Sequence, residues 1–181
     1  MIPENMLYFL TEDSIKGHIE YMNTVFSRYM IYEKSIPELK GKTLSQVVKM
    51  RLDKSDKEKI VALLKEYYSH KTYFNSFSKN DKPCKEIKRF YSSENDFCYR
   101  AVERARVEDG GFLYILKGRK GSPVIAHTRD VPLLYISYTP ILALDLCEHA
   151  YFADYGYNKD EYIRRAVSRL DISKLFIPES S

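Results

Sequence analysis

At 181 residues, with 44% hydrophobic and 30% charged side chains, the chain has the size and balance of one globular core, or of two small lobes sharing one. Its net charge of +4 comes from scattered Lys and Arg, denser only at Lys117, Arg119 and Lys120, which is too diffuse for a nucleic-acid footprint. No apolar run reaches the ~18 residues that span a bilayer, and the N-terminus has no secretory or transit pattern.

Thr11 followed by Glu12 and Asp13 marks a helix start, with a capping hydroxyl and acids in the first turn. Ile15, His18, Met22, Val25, Phe26 and Tyr29 then recur at steps of three and four, one stripe of an amphipathic helix. Residues 37–42 break it, and Thr43 or Ser45 opens a short helix carrying Leu44, Val47 and Val48. Ser55 and Asp56 are the expected cap of a third helix, striped by Ile60, Leu63, Leu64, Tyr67, His70, Phe74 and Phe77. Residues 80–83 end that helix, because Pro83 resists continuation and its polar neighbours favour a turn. A domain boundary is expected there, between an α-helical hairpin domain (1–83) and an α/β domain (84–181). Two further helices are predicted around 85–91 and 93–107. Residues 111–117 and 123–128 are β-prone runs joined by a Gly-bounded turn, an antiparallel hairpin. Residues 139–145 form a third apolar strand ending on Asp145, and 159–170 a last helix. The predicted class is α+β. Cys84, Cys98 and Cys147 are odd in number and far apart, which predicts reduced thiols and a reducing compartment, the cytoplasm or alternatively the mitochondrion.

The chemistry concentrates on four side chains. Asp145 and His149 offer a carboxylate oxygen and an imidazole nitrogen four residues apart, and His18 and His70 each sit mid-helix among apolar neighbours. Three imidazoles and a carboxylate suit a first-row transition metal such as iron or manganese and leave a position open for redox chemistry. Taken singly, His18 and His70 read as core histidines, Cys147 as a buried apolar thiol, and His127 as a strand residue at the surface or in the core.

The run Asp145-Leu146-Cys147-Glu148-His149-Ala150-Tyr151-Phe152 resembles the D-x-W-E-H-A-Y-Y signature of the iron/manganese superoxide dismutases. The likeness extends to His70 with Tyr73 and Asn75 after it, to the segment 14–18 ending in His18, and to the strands at 111–116 and 128–134. It implies a helical hairpin followed by a three-stranded antiparallel sheet surrounded by helices. It also implies one Fe or Mn per subunit held by His18, His70, Asp145 and His149 with a solvent molecule, and conversion of the superoxide anion to oxygen and hydrogen peroxide. A homodimer is implied too, in which Glu148 reaches across to the partner's His149. Tyr73 is either a hydrogen-bonding pocket residue or a half-buried core tyrosine.

Departures from the signature carry their own expectations. The tyrosine that the family places at the substrate gate is Phe26 here, and a polar contact across the dimer interface is replaced by Met22 and Phe152. There is no Trp, and Phe112, Tyr114 and Cys147 stand where the family lines its pocket with it. The glutamine that normally bonds the metal's solvent comes, in manganese members, from the position of Arg129, and in iron members from that of Glu66. A buried Glu66–Arg129 ion pair beside the metal is therefore expected, altering proton supply and lowering activity. The rival reading is a non-catalytic component of a larger assembly, such as a mitochondrial ribosome, where nucleic acid would be a neighbour.

Overall fold

The structure, a computed structural model, describes residues 2–78, 84–118, 121–129 and 140–177. Helix α1 (Glu12–Ser35) starts as the sequence predicts: Thr11 Oγ1 accepts the Ser14 N–H, with Glu12 and Asp13 in the first turn. Helix α2 (Leu44–Lys49) opens on a capping box between Thr43 and Gln46. The start of α3 (Lys54–Phe74) differs from expectation, since Asp53, not Ser55 or Asp56, is its cap. The Asp53 carboxylate accepts from both Ser55 N and Asp56 N, satisfying two orphan amides at once where a hydroxyl takes one. The segment at 85–91 forms only a 3-10 turn, Lys85–Arg89, while α4 (Glu94–Arg106) is a full helix capped by Ser93.

Strands β1 (Phe112–Lys117), β2 (Pro123–His127) and β3 (Pro140–Asp145) form an antiparallel sheet in the order β2-β1-β3. The central strand is apolar on both faces because both are covered: Phe112 to Leu116 are all buried. Pairing of Phe112 with Asp145 puts the end of β3 beside the start of β1. Helices α5 (Glu148–Tyr155) and α6 (Lys159–Val167) follow, and the last helix ends short of residue 170 in a 3-10 turn, Ile172–Phe176. Among the described residues, six α-helices and this sheet make an α+β fold. Helix α3 ends earlier than the expected stop at 80–83: Asn75 caps it after Phe74, and Phe77 lies beyond it in an isolated bridge with Leu170. Residues 80–83 themselves and most of the segment 128–134 lie outside the described residues, as do Arg119 and Lys120. No helix among the described residues is long and apolar enough to cross a membrane.

Two apolar clusters hold the chain together. The smaller joins α1, α2 and α3 through Tyr29, Leu44, Val47, Ile60 and Leu64. The larger takes Met6, Phe9, Ile15 and Tyr73 from the N-terminal half and packs them with the sheet, Tyr162 and Ile163. Each large apolar side chain buried this way contributes about 1.5–3 kcal/mol. Polar latches fix the halves against each other: Thr11 Oγ1 donates to Asp154 Oδ1 at 2.6 Å, Tyr155 hydroxyl donates to Phe9 O, and Ala143 N donates to Ser76 Oγ at 2.7 Å. These contacts register α1 on α5 and the end of α3 on β3.

Candidate metal centre

Four segments remote in sequence deliver one side chain each to a common point. His18 comes from the second turn of α1, His70 from the last turns of α3, Asp145 from the end of β3 and His149 from the first turn of α5. Asp145 Oδ2 lies 3.1 Å from His18 Nε2, 3.4 Å from His70 Nε2 and 3.0 Å from His149 Nε2. The two nitrogens of His70 and His149 face each other at 3.3 Å, and all four ligand atoms fall within 4.8 Å. The side chains of His18, His70 and Asp145 are wholly buried, while that of His149 is 30% exposed.

The surroundings explain the aim of each group. Cys147 N donates to Asp145 Oδ1 at 2.9 Å in the tight turn between β3 and α5, which leaves Oδ2 for the imidazoles. Tyr162 donates its hydroxyl to Asp145 O at 2.8 Å. His70 Nδ1 donates to the Glu66 carbonyl at 2.7 Å, since a helix carbonyl only accepts, so the neutral ring turns a bare Nε2 lone pair toward Asp145 and His149. A lone pair pointed at a carboxylate oxygen is repulsive, and either a proton or a cation must stand between them. Burial opposes a charged His70, but its hydrogen bond with Asp145 and the charge there outweigh burial and raise its pKa. Burial likewise pushes the Asp145 carboxyl up, and contacts with His149, His18 and His70 overcome this to hold it well below the carboxylate range. Burial lowers the pKa of His18, whose Nδ1 is buried without a partner. A mixed imidazole and carboxylate set of this kind fits a divalent or trivalent first-row ion such as iron or manganese.

An aromatic wall keeps water from the inner side. Tyr73 and Phe74 each pack 5.0 Å from the His18 ring, and Phe112 meets His70 edge-on at 5.1 Å. The Tyr73 hydroxyl lies 3.2 Å from that of Tyr162, so it belongs to the chain of bonds supporting Asp145. Burial raises its pKa. Tyr162 was not singled out by the sequence, where it is one apolar position of an ordinary amphipathic helix.

The expected ion pair beside the ligands is not formed. Glu66 and Arg129 form no buried pair: half-buried Glu66 accepts from the Tyr21 hydroxyl at 2.5 Å, whereas the Arg129 side chain is 66% exposed and 3.6 Å from Glu108 Oε2. Glu108, bonded by Arg104 and 3.2 Å from His127 Nδ1, is the nearer anion at the end of β2. His127 is correspondingly buried, with Nε2 2.7 Å from Gly110 O. Phe26 stacks on Tyr67 at 4.5 Å and on Tyr29 at 5.9 Å, inside the helical-hairpin cluster. Tyr21 instead lies over the ligands, 4.3 Å from the His149 ring and 5.4 Å from that of His70. Its place three residues after His18 on one helix face was the available signal. Met22 is half-buried, and Glu148 and Phe152 are exposed on α5. Cys147 Sγ accepts from Gly111 N at 3.2 Å, and burial pushes its thiol up to about 12, so it is not poised to coordinate.

Residues 78–175, more than half of the chain, match the family description "Iron/manganese superoxide dismutases, C-terminal domain". The chain is also similar to "Superoxide dismutase [Fe]" of Synechococcus elongatus, 22% identical over 178 residues, which cover 90% of this chain and 84% of the relative. The four converging ligand side chains lie on both sides of the matched segment's first residue, and the chain belongs to the iron/manganese superoxide dismutase family.

Proposed function

We propose that the protein is a superoxide dismutase, converting two superoxide anions and two protons to oxygen and hydrogen peroxide at one Fe or Mn per subunit. The observation that carries this reading is the meeting of His18, His70, His149 and Asp145 at one buried point, with their ligand atoms within 4.8 Å. When bound, the metal supplies the one-electron exchange that no side chain in the site can provide. His18, His70 and His149 would hold it through Nε2, and Asp145 through Oδ2. Cys147 N and Tyr162 keep the carboxylate aimed, and the Glu66 carbonyl keeps the proton of His70 on Nδ1. Tyr73, Phe74 and Phe112 exclude water from the inner face. The net positive charge favours approach of a small anion.

The name of the relative supports iron, while replacement of both glutamine positions by Glu66 and Arg129 removes the usual discriminator between the metals. A homodimer through α5 is supported by the exposed Glu148, His149 and Phe152, next to a Tyr157 that is 96% exposed. Three free cysteines support a reducing compartment, the cytoplasm.

Metal analysis and a dismutase assay on the purified chain test the proposal together. About one iron or manganese per chain, with activity lost in His149→Ala, is the expected result. A folded protein that takes up neither metal sinks it and favours the non-catalytic reading.

A further inference from the structure

Within a single chain, His149 is the most exposed of the four ligands. It is 30% exposed where the others are fully buried, and it stands in the first turn of α5, whose cap residue Cys147 makes no side-chain bond to that turn. Its Nε2 faces Asp145 and His70, and among the described residues no hydrogen bond holds its Nδ1. The face of the ring is covered by Tyr21, stacked at 4.3 Å with the planes 28° apart.

Tyr21 is itself 38% exposed, and an exposed aromatic ring is ordinarily free to turn away. Its hydroxyl prevents that by donating to Glu66 Oε1 at 2.5 Å. Glu66 therefore acts on two ligands from one backbone position. Its carbonyl fixes His70 through Nδ1, and its carboxylate fixes Tyr21, which backs His149. Helix α1 supplies both His18 and this brace, because residues three apart share a face.

We propose that Tyr21, anchored on Glu66, is a positioning residue for His149 and sets how firmly this chain retains its metal. The inference rests on the reading of the site as a metal centre. Losing an outer support of a ligand imidazole typically weakens metal binding about 10–100-fold. Retention should therefore depend on the anchored pair rather than on bulk in general.

The test is the rate of metal release to a competing chelator from metal-loaded full-length protein, with Tm recorded for each variant. Tyr21→Phe and Glu66→Ala should each speed release about tenfold, and the double variant no more than either alone, because both break one hydrogen bond. Glu66→Gln, which keeps an acceptor oxygen, should restore slow release. Tyr21→Ala should shift the visible absorption of the loaded protein by freeing the His149 ring. Unchanged release in Tyr21→Phe and Glu66→Ala, or effects that simply add, would overturn the inference while leaving the metal centre intact. A wild-type chain that binds no metal would instead overturn the metal reading on which it rests.

Discussion

The amide of Cys147 and the carboxylate of Asp145 are joined by a 2.9 Å hydrogen bond, and that bond turns strand β3 into helix α5 while aiming Oδ2 at three imidazoles. The backbone turn and the ligand geometry are thus one feature. Replacing Asp145 removes an anion and a turn-forming acceptor together. Asp145→Asn keeps the shape and the acceptor for Cys147 N but removes the charge. It should lower iron or manganese occupancy at least tenfold, measured by elemental analysis, while the far-ultraviolet circular dichroism stays that of the folded chain.

Metal binding should weaken as the solution is acidified. In the metal-free protein the hydrogen bond and charge of Asp145 raise the pKa of His70 against the opposing effect of burial, so protons compete with a metal for that ring to a higher pH than for an ordinary imidazole, while the Asp145 carboxyl is held low. The sign for stability of the metal-free form follows from the same shifts. The His70 contribution is fully present below its ordinary 6.5 and is lost as pH rises through its raised value; the Asp145 contribution is present above its ordinary 3.8 and is lost only in strong acid. The gap in Tm between loaded and metal-free protein should therefore widen from pH 5 to pH 8. A constant gap would contradict this account.

Removing the metal should cost stability by mass action. At a free concentration 100 times Kd, the bound ion contributes about 2.7 kcal/mol. For a chain of this size that corresponds to roughly 5–10 °C in Tm, readable by calorimetry before and after chelation.

Tyr162→Phe should destabilise by about 1–3 kcal/mol, since it strips a buried donor from Asp145 O and a partner from the Tyr73 hydroxyl. Chemical denaturation of the metal-free chain measures this without involving the ion.

On the proposed dismutase reading, Glu66 sets a negative charge beside His149, the most exposed ligand, through its link to Tyr21, where it would oppose the approach of superoxide. Glu66→Gln should raise kcat/KM for superoxide about three- to tenfold at low ionic strength, with the gain shrinking as salt screens the field. A rate that falls, or a gain indifferent to salt, would count against an electrostatic role.

Local rules made most of the framework readable. The cap at Thr11, the three-and-four stripes of α1 and α3, and the Gly-bounded β-hairpin each rest on neighbours in sequence, and the structure follows them. His18, His70, Asp145 and His149 were legible because each sits in its own recognisable context. Side-chain partners were not. Whether Glu66 meets Arg129 or Tyr21 depends on how α1 lies along α3 and on a nearer anion, Glu108, waiting for Arg129. Periodicity fixes which face of a helix is buried but not which rotamer crosses to a neighbour. Tyr162 escaped for the same reason: its bond to Asp145 O exists only after α6 packs on β3. The cap at Asp53 was missed within one turn, where Asp53, Ser55 and Asp56 compete and the carboxylate that reaches two amides prevails.

The latch between Thr11 and Asp154, together with the spread of ligands from residue 18 to residue 149, has a consequence for biosynthesis. A nascent chain that has emerged only through α3 displays His18 and His70 but neither Asp145 nor His149. Its first helix also lacks the α5 contact that registers it. A site made of all four side chains therefore cannot assemble until translation has passed α5.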